Sequence, residues 1–404
     1  MLNILKFIVA ALYPLFLISC YNSQSSNIIT DEVIAQEIKS PAVYESSEPN
    51  LHTDKDGNIY LTWIGTMEDK TTTLYQSTLK DNIWSDPIKI AEGKDWFVNW
   101  ADFPTLTSFG DNYLAANFLV ENGEGTYAYD VNISISKDAG KSWNRPITPH
   151  SDNTPTEHGF VSLVPFQDDF MALWLDGRKY VTEEKEMTLR SAIISREGKI
   201  INEHLLDENV CSCCQTSAVS VDDAVIVVYR DRFEEEIRDI SLVRFQNGSW
   251  SEPTTVSKDN WKIGGCPVNG PAIDASEQNV AIVWFTMANE NPLVKMAFSD
   301  DMGSSFSTSI VVNDSIPIGR VDVVSLSDGS AFVSWIEQIQ NQAYIKVRRV
   351  FRNGKKGKTI TVSKTSSKRA SGFPKMVKDG NYLIFAWTNV QENLSIKTVK
   401  IRVL

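Results

Sequence analysis

The sequence predicts an all-β protein, a β-propeller of seven blades with six as the alternative, on three observations. First, an apolar strand ending in a large aromatic residue recurs seven times, at Trp63, Phe118, Trp174, Tyr229, Trp284, Trp335 and Trp387. Successive copies lie 55, 56, 55, 55, 51 and 52 residues apart, and a period of this size means a repeat architecture. Second, each copy is rich in β-branched and aromatic residues and too short for a helix. A shorter strand precedes many copies, as in Phe103-Pro104-Thr105-Leu106 and Phe373-Pro374-Lys375-Met376. Third, turn residues separate them, as in Asp56-Gly57-Asn58, Gly110-Asp111-Asn112, Asp328-Gly329 and Asp379-Gly380-Asn381. Several short strands per unit of this length describe a propeller blade.

The segments beyond two of the long strands sharpen the prediction. Ser136-Lys137-Asp138-Ala139-Gly140-Lys141-Ser142-Trp143 and Ser299-Asp300-Asp301-Met302-Gly303-Ser304-Ser305-Phe306 both read Ser-x-Asp-x-Gly-x-x-aromatic. The Asp caps its own backbone, the Gly takes a positive φ, and the aromatic plugs the blade. Worn copies stand at Asp81-Asn82-Ile83-Trp84 and Asn247-Gly248-Ser249-Trp250. The pattern resembles the Asp-box of the sialidase and BNR-repeat families, from about Glu48 to the end of the chain. In those families the boxes are structural, so they argue for fold and not for chemistry.

The N-terminus reads as a targeting segment. Residues 1–20 combine Lys6, an apolar run from Ile8 to Ile18, and Leu17-Ile18-Ser19-Cys20, which resembles a bacterial lipobox with Cys20 as the lipidated residue. Residues 21–40 are expected to be a flexible tether and residues 41–404 a single propeller domain. The protein is then a lipoprotein of the cell envelope, lipid-anchored to a membrane, with the propeller in the periplasm or at the surface. Tyr21 after Cys20 points to the outer membrane in a double-membraned host. The last repeat is short of one strand, and Ala42-Val43-Tyr44 is the segment expected to close the ring. A net charge of −12 and a pI near 5.0 exclude nucleic acid as a partner class. Basic residues from Arg348 to Lys358 and from Lys364 to Arg369 read as solvated outer loops. A monomer is expected.

The loop entering the first strand of each repeat projects toward the axis, and these loops hold the candidate chemistry. They include Asn99–Asp102, Thr156–Gly159, Cys211–Gln215, Gly264–Asn269 and Gly319–Asp322. All four cysteines after Cys20, namely Cys211, Cys213, Cys214 and Cys266, fall in them, as does His158. Three readings stay open: disulfides, favoured by an even count in an oxidising compartment; a soft-metal site of His158 and the thiolates, for copper or zinc; and free or redox-active thiols. His52, His150 and His204 read as ordinary. Copper or zinc enters only through the second of these readings, and no other cofactor is expected.

The second constellation is arginine and carboxylate: Asp176 with Arg178, and Arg232 within Tyr229-Arg230-Asp231-Arg232. The sialidase resemblance implies three arginines on the substrate carboxylate, a Tyr–Glu nucleophile pair and an Asp acid. It points to Arg178, Arg232 and Arg320 for binding and to Asp102, Asp176 and Glu157 as catalytic carboxyls. Apart from the resemblance, Trp96, Phe97 and Trp100 stand at the funnel mouth, where Trp100 can stack on a sugar ring and Trp96-Phe97 can equally plug two blades. Two departures count against ordinary exo-sialidase activity. No Arg-Ile-Pro segment exists, Glu157-His158 standing in its place, and the Tyr has no clear counterpart. The first functional reading is an exported propeller that binds an acidic glycan or small-molecule ligand at its funnel, with hydrolysis an open question. The rivals are a metal-binding or redox propeller and a non-catalytic scaffold or adhesion protein.

Overall fold

The computed structural model describes residues 35–43, 45–391 and 393–403. The targeting segment, Cys20 and the tether up to residue 34 lie outside them. Seven antiparallel sheets follow one another along the chain and form seven blades. Their innermost strands begin at Glu45, Leu106, His158, Ser217, Ala272, Ile316 and Lys375. Each contacts the next, and the last returns to the first, so the ring is closed.

The recurring aromatic lies in the second strand of every blade. Each copy is buried in the apolar layer between its own blade and the preceding one: Trp63 against blade seven, Phe118 against blade one, and so on round to Trp387 against blade six. Alternation along a strand explains how one strand serves two layers. In Asp169–Asp176, Phe170, Ala172 and Trp174 face blade two, whereas Met171, Leu173 and Leu175 face blade four.

Closure differs from the expectation in its location. The fourth strand of blade seven is Gln36–Ile38, pairing with Thr398 to Lys400, and Ala42 and Val43 are not in a strand. Tyr44 lies outside the described residues. The physical reason is reach. The chain must cross from the outer edge of blade seven to the axis, three strand spacings or roughly 14 Å, before Glu45 opens the inner strand of blade one. The residues from Lys39 onward do that crossing and cannot also be the outer strand.

The two Ser-x-Asp segments form matching turns. Ser136 Oγ donates to Asp138 (2.8 Å) and accepts from the Gly140 N–H (2.8 Å), while Asp138 accepts from the backbone and hydroxyl of Ser142. Ser299, Asp301, Gly303 and Ser305 repeat the pattern. Gly140 and Gly303 have φ of 84° and 76°, and a Cβ on either would strike Gln76 or Ile226 of the preceding blade. These turns follow the third strands of blades two and five, on the opposite face from the loops that enter the first strands. Of the basic residues read as solvated, Arg348 is buried and forks onto Asp314.

The inner strands enclose an axial cavity of about 480 Å³. Carboxyls tie neighbouring blades around it: the buried Asp102 accepts from the Phe160 N–H (2.7 Å), and the half-buried Asp274 and Asp322 accept from the N–H groups of Ser325 (2.6 Å) and Met376 (2.7 Å).

Candidate functional site

In a blade of antiparallel strands, the loop into the first strand and the loop between the second and third emerge on the same face. That face carries every candidate residue, but not as one cluster. Three groups form.

The first surrounds Tyr129, which opens the third strand of blade two. Its hydroxyl lies 2.9 Å from Glu157 Oε1 and 3.0 Å from Asp102 Oδ2. Burial pushes Glu157 up to about 8 and Asp102 up to about 7. Burial, then the two carboxylates, raises Tyr129 well above the usual phenol range. Phe97 stacks on the Tyr129 ring at 4.0 Å, which fixes the hydroxyl's direction. Trp96 likewise stacks on Phe118, so the Trp96-Phe97 pair is a plug between blades. Both carboxyls are held as acids near neutral pH and joined through one hydroxyl, a chain able to deliver and recover a proton.

The second group is the cysteines. Cys211 Sγ is 3.7 Å from Cys213 Sγ and 3.6 Å from Cys214 Sγ. The sulfurs of Cys211, Cys213 and Cys214 all lie within 4.8 Å of one another, and Cys266, from the loop entering blade five, approaches Cys213 from the side. All four are free thiols. Arg238 Nη1 donates to Cys211 at 3.2 Å and is itself held by Glu236 at 2.6 Å. Hydrogen bonds from Cys213 and Cys214, and then Arg238, hold the Cys211 thiol well below its ordinary value, whereas burial pushes Cys214 up to about 12. Cys266 falls to about 7, chiefly through its bond from Cys213.

The third group separates His158 from the thiols. The His158 side chain points away from the axis, into the layer between blades two and three. Its Nδ1 is 3.2 Å from Asp130 and its Nε2 is 3.3 Å from Asp152 and 3.7 Å from Asp176. His150, read as ordinary, stacks on it at 3.9 Å with planes 12° apart. A metal lies in the plane of a ligating imidazole, so two nearly parallel rings do not converge on one ion without turning. The carboxylates and the two rings form a charge network, and within it Asp152, His158 and Asp176 bring one ligand atom each within 4.8 Å of one another. Burial works against a proton on His158, yet Asp130, Asp176 and Asp152 outweigh it, while burial and then His158 lower His150.

The arginines do not gather on one ligand. Arg178 is held by Asp176 (2.7 Å), Glu203 (2.9 Å) and Asp152 (3.3 Å). Asp176 also accepts from Trp174 Nε1 and is fully buried, which leaves it no free edge. Arg232 bonds Glu236 at 2.6 Å. Arg320 is buried, donates to Ser371 Oγ and to the carbonyls of Lys368 and Gly372, and lies 4.9 Å over the Trp100 ring. Burial, then Arg369, lowers it to about 10. Trp100 stacks on Phe373 through an interplanar angle of 12°. Arg320 and Trp100 are therefore packed together against the loop that enters blade seven.

Sequence reading missed Tyr129, Arg238 and His150. Each sits at a third-strand start or in a loop, and its partner is set by the register between blades. Tyr127, Tyr180 and Phe233 are also on this face, in the loops after the second strands of blades two, three and four, and are 61%, 47% and 38% exposed.

No family model matches the sequence, and no curated protein matches it. Solved structures share the fold. A polysaccharide lyase, an ulvan lyase bound to a GlcA(1-4)Rha3S unit, is similar at a TM-score of 0.54 and 11% identity, over 92% of this chain and 95% of that chain. The α-L-arabinanase of Penicillium chrysogenum, complexed with arabinobiose, gives 0.51 and 12%, over 92% and 99%. The endosialidase of phage phi92 gives 0.50 and 9%, over 92% and 69%. At these identities the likeness establishes the fold, a seven-bladed β-propeller.

Proposed function

We propose that this chain is a glycan-processing propeller whose reacting groups are Glu157, Tyr129 and Asp102 on the face that carries the first-strand entry loops. The observation that carries the reading is the Tyr129 hydroxyl bridging two carboxyls, 2.9 Å from Glu157 and 3.0 Å from Asp102. Glu157, protonated below about pH 8, is the proton donor to a departing glycosidic oxygen. Asp102, with the lower value of about 7, takes a proton from the water that attacks the sugar carbon as the glycosidic bond breaks, and Tyr129 relays that proton back to Glu157. The family that the Asp-box pattern resembles pairs a Tyr with a Glu and adds an Asp; this chain brings the same three residue types together, with Glu157 rather than the Asp as the acid. Support also comes from the exposed Tyr127, Tyr180 and Phe233, whose rings suit sugar faces. The structural neighbours named above include a polysaccharide lyase, an arabinanase and an endosialidase.

The arginines argue against a sialidase-type carboxylate clamp. Arg178 and Arg232 are already engaged by this chain's own carboxylates, and Arg320 by carbonyls. A neutral glycan, or an acidic one recognised through its hydroxyls, fits better. Incubating the purified chain with arabinans, uronate-containing polysaccharides and a generic α-sialoside tests the reading. Release of new chain ends from one of the first two classes, with little from the sialoside, is expected. No turnover and no binding across the panel would overturn it.

Export and lipid anchoring through Cys20 remain part of the proposal. Mass spectrometry of the mature N-terminus tests them, a lipid on Cys20 being the expected result.

A further inference from the structure

We propose that Cys211, Cys213, Cys214 and Cys266 form an all-sulfur site for a soft d10 cation, Cu(I) in the first place. The proposal does not depend on the glycan reading. Three of the sulfurs come from one four-residue loop and lie within 4.8 Å of one another, and Cys266, on the entry loop of the next blade, approaches Cys213 as the fourth. The two Sγ–Sγ separations around Cys211 are 3.7 and 3.6 Å. A metal holding thiolates at about 2.3 Å in a tetrahedron needs sulfurs about 3.8 Å apart. The spacing is therefore close to that of a coordination shell, while a disulfide needs about 2.05 Å.

The surroundings fit a thiolate site. Arg238 Nη1 stands 3.2 Å from Cys211 Sγ and is fixed by Glu236, so it is aimed at the sulfur as an outer-shell donor. Three or four thiolates around one cation leave surplus negative charge, and this guanidinium offsets part of it. Cys211 and Cys214 are buried, which shields the site from water, while Cys266 is exposed and offers an entry path. The donors are all sulfur, which selects soft ions and disfavours Mg²⁺ or Ca²⁺. The short Cys-x-Cys-Cys run does not offer the paired spacing of zinc modules, which places Cu(I) ahead of Zn(II). His158 takes no part, since its ring nitrogens face Asp130 and Asp152.

The test uses the full chain, reduced and kept anaerobic, titrated with Cu(I) and separately with Zn(II). Bound metal is read by elemental analysis and free thiols by a chromogenic reagent. One Cu(I) per chain and the loss of at least three reactive thiols are expected, with Cu(I) displacing Zn(II). Cys213→Ser should weaken binding at least a hundredfold. Cys266→Ser, at an exposed position that leaves folding intact, should weaken it at least tenfold. Failure to retain Cu(I), or wild-type retention by both variants, would overturn the proposal. So would peptide mapping of untreated protein that finds these cysteines in two disulfides. Zn(II) held against excess Cu(I) would overturn the choice of ion.

Discussion

The hydroxyl of Tyr129 and the carboxyl of Glu157 meet at 2.9 Å although 28 residues and a blade boundary separate them. Tyr129 starts the third strand of blade two and pairs by a parallel bridge with Glu157. That bridge also turns His158 the other way, since neighbouring residues of an extended chain face opposite sides. The same few residues thus set both the Tyr–Glu contact and the His158–carboxylate network.

If Glu157 donates a proton and Asp102 recovers it, activity has two limbs. Glu157 is the acid below about pH 8, and Asp102 is a carboxylate above about pH 7. A bell-shaped profile with its maximum between these values is expected from a pH series of turnover rates. Tyr129→Phe, which keeps the ring on Phe97, should lower turnover and shift both limbs.

The aromatic repeat predicts where stability resides. Trp174 and Trp284 are fully buried between blades. Trp174→Ala or Trp284→Ala should destabilise the fold by about 3–5 kcal/mol, read as a fall in denaturant midpoint. An exposed aromatic such as Tyr127 should change stability by less than about 0.5 kcal/mol when replaced.

Closure of the ring predicts a sharp contrast. Ile38 is buried between blades seven and one, and its carbonyl accepts from Thr398 Oγ1 at 2.7 Å. Deleting Gln36–Ile38 should cost on the order of 1–3 kcal/mol, seen as a lowered melting temperature. Substituting Ala42 and Val43 with glycine should cost clearly less.

Carboxyls lining the axial cavity predict an unusual pH dependence. Burial raises Asp274 from 3.8 to about 7. In the folded chain it keeps its proton between these two values, whereas the unfolded chain loses it. Its contribution to stability is therefore greatest below about pH 4 and is lost as pH rises to about 7. Asp274→Asn should flatten the melting temperature between pH 4.5 and 7.5 relative to the parent chain.

The fold was legible because its signal is local and repeated. A strand ending in Trp, Phe or Tyr needs no partner to be recognised, and the Ser136 and Ser299 turns carry their own hydrogen bonds. Much of the site was legible as membership: entry loops hold Asp102, Glu157, Cys211 and Cys266. Pairing was not legible. Whether a loop residue points to the axis or into a blade interface turns on one step of strand alternation, and that step sent His158 to the carboxylates. Tyr129 lies in no entry loop, and its role rests on register between blades. Arg320 was legible as an entry-loop residue, but the carbonyls that hold it belong to a loop some fifty residues on.

The most direct test of the central claim is the turnover of Glu157→Gln against the parent chain on the glycan that the parent cleaves, with melting temperatures measured alongside. Loss of the only proton on Glu157 should lower turnover by about 10²–10⁴-fold and leave the melting temperature within a few degrees, because Gln still reaches Tyr129. Turnover by Glu157→Gln equal to that of the parent chain would contradict the account.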